Sequence, residues 1–113
     1  MVKWCLVAML MFGALGLPAC LGERVTGEQA RTFVKEGAYL LDVRTPGEYT
    51  EGHIDGAVNI PVGELDGRLG ELPAKDTAIV VYCKSGVRSS NARKLLEEKG
   101  YTRVHDLGAM SRW

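Results

Sequence analysis

The sequence predicts an α/β fold: a small parallel sheet with helices on both faces. Three observations carry that expectation. Strand-like and helix-like segments alternate from Gly22 onward with short connections, the pattern of parallel strands joined by crossovers that cover both faces of the sheet. Residues 78–82, AIVVY, form a continuous apolar run, as a strand buried on both faces requires. Within a few residues that run gives way to a helical pattern over residues 88–99.

Each element has its own local justification. Thr26-Gly27-Glu28-Gln29 is a capping-box sequence, and Ala30, Phe33 and Val34 supply an apolar stripe at i, i+3 and i+4, with Gly37 as the stop. Residues 39–43 read as a buried strand. Thr45 followed by Pro46 opens a short helical turn, with Thr45 as N-cap and Pro46 at the first helical position. Residues 52–56 form a loop, and residues 57–60 a short strand ended by Pro61. A short helix is expected over residues 62–69, with Leu65 and Leu69 inward. The strand at 78–82 and the helix at 88–99 follow, the latter with Ala92, Leu95 and Leu96 inward and Gly100 as its stop. Residues 103–107 read as the last strand.

Composition narrows the function. The 113 residues allow one domain, and 46% hydrophobic with 25% charged residues describes a globular chain. Lys+Arg and Asp+Glu both total 14, so no net field points to nucleic acid or an acidic surface. Two His and three Cys, widely scattered, do not make a zinc site, and no metal or cofactor is expected.

The N-terminus stands apart. Lys3 precedes the uncharged WCLVAMLMFGALGL, and the next charged residue is Glu23. A short basic segment followed by an apolar one reads as an export signal over residues 1–19, leaving residues 23–113 as the domain. Residues 17–20, LPAC, resemble a bacterial lipobox, in which cleavage precedes a cysteine that then receives lipid. Leu17 and Ala19 match that pattern and Pro18 departs from it. The resemblance implies lipid attachment at Cys20 and an envelope or periplasmic location, anchored to a membrane. Two other fates stay open: ordinary cleavage after Gly16, or retention of residues 4–21 as an uncut segment barely long enough to span a membrane.

Export discards Cys5 with the signal, and where Cys20 is acylated Cys83 is the only thiol left in the mature chain. A lone thiol in an oxidising compartment has no internal disulfide partner. It is either buried and inert or kept for reactivity.

The neighbours of Cys83 favour reactivity. Lys84, Ser85, Gly86 and Val87 cannot prolong an apolar strand, so the chain turns at once. Gly86 permits backbone angles closed to other residues. A tight loop leading into a helix N-terminus aims successive N–H groups inward as an anion nest, where a thiolate is favoured. Arg88 and Lys84 add positive charge; Ser89 either caps the helix or donates to the sulfur. No His adjoins Cys83, so activation rests on backbone dipoles rather than a Cys–His pair.

CKSGVRS, residues 83–89, resembles the active-site loop of the rhodanese (single-domain sulfurtransferase) family. LLDVRTPGEYTEGHIDGAVNIP, residues 40–61, resembles the family's upstream signature, and residues 100–113 its closing segment. Gly108-Ala109 departs from the Gly-Gly of many members. The resemblance implies a three-layer α/β/α rhodanese-like fold. It also implies a monomer in which Cys83 takes sulfane sulfur from a thiosulfate-like donor. The sulfur then passes to cyanide or a thiol; the alternative is a sulfur carrier or binding module without turnover. Asp42, Arg44 and His53, with Glu48, are expected to serve as structural support. The spacing from Cys83 to Arg88 is Cys-x4-Arg, one residue shorter than the Cys-x5-Arg loop with which cysteine phosphatases enclose phosphate.

Overall fold

The computed structural model describes residues 23–113, so the expected signal and Cys20 lie outside the described residues. Its elements are α1 (Gly27–Lys35), β1 (Tyr39–Asp42), α2 (Pro46–Glu51), β2 (Val58–Asn59), α3 (Val62–Leu65), β3 (Ile79–Cys83), α4 (Val87–Glu98) and β4 (Val104–Ala109). Short 3-10 turns cover Asp66–Glu71 and Met110–Arg112.

The four strands make one sheet in the order β2-β1-β3-β4, every pair parallel. The central strand β3 is buried at all five positions, which accounts for its unbroken apolar run. Side chains alternate across it. Ile79, Val81 and Cys83 join Leu41, Val43, Ile60, Leu65, Ala92 and Leu96 on the face covered by α3 and α4. Val80 and Tyr82 join Leu40, Ala30 and Leu107 on the other, where Phe33 and Val34 of α1 pack. The molecule therefore has the three α/β/α layers that the sequence predicts.

Local signals act where the sequence places them. Thr26 accepts from the Gln29 amide while Gln29 accepts from the Thr26 amide, and Thr45 with Glu48 repeats the arrangement ahead of α2. Most boundaries shift by a residue or more, and three of the differences have a local cause. The helix expected over 62–69 is α3 followed by a 3-10 turn, because Arg68 leaves helical angles at φ −125° and ψ 23°. There Arg68 bonds both Glu64 and Glu71. The fourth strand runs on to Ala109, through a bulge that pairs Val81 with Asp106 but Tyr82 with Gly108. Cys83 is the last residue of β3 rather than the first beyond it, since it still pairs with Ala109.

Candidate active site

β3 delivers Cys83 to the carboxyl edge of the sheet, where ligands of open α/β sheets bind. The chain then turns over three residues into α4, whose N-cap is Gly86 at φ 107° and ψ −14°. A glycine is required there, because those angles strain any residue with a Cβ. The turn folds two amides onto the sulfur: Gly86 N–H donates to Cys83 Sγ across 2.9 Å and Ser89 N–H across 3.3 Å. The N–H groups of Val87 and Arg88, in the first turn of α4, have no acceptor among the described residues. Together they form a cradle for negative charge on or beside the sulfur.

Ser89 does not cap α4. It lies fully buried in the first turn, with its hydroxyl donating to the Gly86 carbonyl at 3.1 Å. That carbonyl also accepts from Ser90 N–H at 3.2 Å and from Arg24 Nη2 at 3.1 Å. Arg24 was not singled out from sequence. It crosses from the start of the domain, with Nε 3.7 Å from the buried carboxylate of Asp106, and braces the loop from behind. Nothing local marks such a residue; its role exists only once β4 lies beside β3.

Arg88 is not a free cation. Its Nη1 and Nη2 lie 2.8 and 3.2 Å from the carboxylate oxygens of Glu48 on α2. This pair raises the Arg88 guanidinium further, and Cys83 contributes a smaller increment. Arg88, with the Thr45 amide next, holds the Glu48 carboxyl down to about 2. Lys84, Ser85 and Val87 are exposed on the outer side of the loop.

Behind the loop lies a buried network. Arg44 Nη2 donates to Asp42 Oδ2 at 2.7 Å and to the Gly52 carbonyl at 2.7 Å, tying β1 to the end of α2. Tyr82 hydroxyl donates to the same Asp42 oxygen at 2.7 Å and accepts from Ile54 N–H at 3.1 Å. Burial first, then the Asp42 carboxylate, push the Tyr82 phenol well above its ordinary value. His53 takes no part in this network: its Nδ1 donates to the Tyr49 carbonyl at 2.8 Å and its ring stacks on Tyr49. The structure thus brings Cys83 together with Gly86, Ser89 and Arg88, sets Asp42 and Arg44 one layer behind, and keeps His53 on the outer turn.

A cleft of about 460 Å³ opens beside the loop, walled by Arg44, Glu48, Glu51, Gly52, Lys84, Met110 and Ser111. Cys83 itself has no exposed surface and does not line this cleft. Among the described residues no three His, Cys, Asp or Glu gather as a metal site.

The family model described as a rhodanese-like domain matches residues 26–113. The chain is 39% identical over 73 residues to the thiosulfate sulfurtransferase PspE of Escherichia coli K12, covering 64% of this chain and 70% of that protein. It resembles the crystal structure of reduced Bacillus anthracis CoADR-RHD with a TM-score of 0.71 and 38% identity, covering 80% of this chain but only 16% of that longer one. It also resembles a structure described as a rhodanese with anions from E. coli, with a TM-score of 0.65 and 36% identity, covering 68% of this chain and 92% of that one. A parallel sheet that ends in a lone thiol under converging amides thus coincides with a sequence match along nearly all the described residues, and the chain belongs to the rhodanese-like family.

Proposed function

We propose that this protein transfers sulfane sulfur through Cys83, from a thiosulfate-like donor to cyanide or a thiol. The observation that carries the reading is the pair of amides, Gly86 and Ser89, aimed at a single thiol at the end of β3. In the first step the Cys83 thiolate attacks the outer sulfur of thiosulfate. The donor's S–S bond breaks, sulfite leaves with the bonding pair, and Cys83 keeps the sulfur as a persulfide anion. In the second step cyanide carbon attacks that outer sulfur, thiocyanate leaves, and the thiolate returns. Both steps concentrate negative charge where the N–H groups converge, which favours them without a general base or a metal. The match to a thiosulfate sulfurtransferase and the likeness to a rhodanese holding anions support this reading.

The test is thiocyanate formation from thiosulfate and cyanide by the domain that starts at Gly22. Turnover in wild type and none in Cys83→Ser is the expected result. Neither thiocyanate nor a one-sulfur mass gain on Cys83 overturns it. A second reading, a sulfur carrier without turnover, is favoured by the complete burial of Cys83. Mass gain without thiocyanate selects the carrier.

For its location we propose export and lipid attachment at Cys20, supported by the lipobox-like LPAC and the apolar segment before it. Fatty-acid labelling of wild type but not of Cys20→Ala is the expected outcome; equal labelling, or none in either, overturns it.

A further inference from the structure

The chain enters the domain at one firmly fastened place. Val25 N–H donates to the Asp106 carbonyl of β4 at 2.9 Å, Arg93 of α4 donates to the Glu23 carbonyl at 3.1 Å, and Arg24 reaches the Gly86 carbonyl at 3.1 Å. Residues 23–25 are thus pinned along the outer edge of β4, at the opposite side of the sheet from β2. Cys20 precedes Arg24 by four residues, which span at most about 14 Å when fully extended. Under either anchored fate, lipid on Cys20 or residues 4–21 kept in the membrane, the bilayer begins within that distance of the β4 edge. A tether so short leaves the domain little room to present its other edge.

The same edge carries side chains suited to that neighbour. A cavity of about 580 Å³ runs along it, lined by Arg24, Arg93 and Arg103 with Glu23 and Glu97, and it shares no residue with the cleft beside the catalytic loop. Glu97 is matched by Arg93 across 3.2 Å. Arg103 is exposed and makes no ion pair among the described residues; its guanidinium has only a 3.5 Å contact with the Asp76 carbonyl. Arg24 Nη1 likewise has no acceptor among them. Guanidinium forks fit phosphate oxygens. The balanced net charge does not draw the chain to an acidic surface; the tether brings it there, and the unmatched arginines favour one face.

We propose that the β4 edge is the face this protein turns to the lipid surface, with Arg24 and Arg103 meeting headgroup phosphates. The inference rests on the anchor proposed above and goes beyond it, since it fixes which side of the sheet lies on the bilayer. Arg24 also braces the catalytic loop, so the loop over Cys83 stands one arginine side chain from the membrane-facing segment.

Paramagnetic relaxation tests the orientation. The full chain is placed in bicelles of phosphatidylcholine and phosphatidylglycerol that contain a headgroup-nitroxide lipid, and broadening of the amide signals is read. Amides of residues 102–105 should broaden strongly. Those of Val58 and Asn59 on β2, three strand spacings or roughly 14 Å away, should stay sharp. Equal broadening at both edges, or more at β2, overturns the proposal. Sharp signals throughout, in a chain that stays with the bicelles, overturn it too and leave the anchor standing. A chain that does not stay with the bicelles counts against the anchor and removes this proposal with it. Arg103→Gln tests the phosphate contact: the population of the β4-edge contact should fall roughly 5-fold, as about 1 kcal/mol per arginine near an anionic surface implies. An unchanged broadening pattern overturns that contact.

Discussion

The amide of Gly86 donates to the sulfur of Cys83 across 2.9 Å, and Gly86 holds this position with a φ of 107°. A Cβ at Gly86 would meet the Arg24 guanidinium at 2.5 Å. Arg24 is flexible enough to yield, but then its bond to the Gly86 carbonyl is lost and the backbone strain remains. Gly86→Ala is therefore expected to destabilise the fold by about 1–3 kcal/mol. Urea denaturation measures that cost, and thiocyanate formation should drop more than stability alone explains, because the amide turns away from the sulfur.

Arg24→Ala tests the brace without the strain. Only the bond to the Gly86 carbonyl and the contact with Asp106 disappear. A hydrogen bond from a charged donor contributes about 1.5–3 kcal/mol, which here is spent on the loop rather than on the sheet. Hydrogen exchange at the amides of Gly86 and Ser89 should quicken by roughly 10-fold or more. Exchange at β1 and β3 should stay as in wild type; uniform acceleration would mean that Arg24 supports the whole fold instead.

The buried network predicts two different costs at neighbouring positions. Asp42→Ala leaves the Arg44 guanidinium buried without its carboxylate and should cost about 3–5 kcal/mol. Tyr82→Phe keeps the ring in the core and leaves Asp42 Oδ2 bonded to Arg44, but strands the Ile54 amide, for about 1–3 kcal/mol. Chemical denaturation of the two variants should preserve that order.

The Glu48–Arg88 pair fixes a pH dependence. The Glu48 carboxyl, ordinarily near 4.5, is held to about 2, chiefly by Arg88. A carboxyl lowered by folding adds stability that is complete above about pH 4.5 and vanishes as pH falls through about 2. A side-chain NMR titration should show Glu48 with a midpoint near 2 in wild type. In Arg88→Ala the midpoint should move upward, and only part of the way to 4.5, because the Thr45 amide still donates to the carboxylate.

Legibility followed the range of the interactions. Both capping boxes, the apolar run of β3 and the stripe of α4 are encoded within a few residues, so the sequence showed them and the layers they imply. Cys83, Gly86 and the α4 N-terminus were legible for the same reason: a thiol, a turn and a helix start are adjacent in the chain. The Glu48–Arg88 pair spans 40 positions and Arg24–Gly86 spans 62, and no local pattern announces either. Glu48 was also masked by its own capping role, which is a sufficient reason for a glutamate three residues after Thr45. Ser89 misled in the opposite way. A serine near a helix start suggests a cap, but Gly86 begins α4 three residues earlier and leaves Ser89 to fasten the loop from inside.

The sulfur and the amides that surround it hang from different pieces of backbone. Cys83 closes the central strand, and its place is set by pairing with β1 and β4 through the rest of β3. The amides belong to the loop and to the first turn of α4. Nucleophile and size gauge can therefore be altered separately. One residue inserted between Cys83 and Gly86 would widen the ring of donors while the sheet kept the thiol where it is. An engineer seeking a pocket for a four-oxygen anion would have to rebuild only the span between strand and helix.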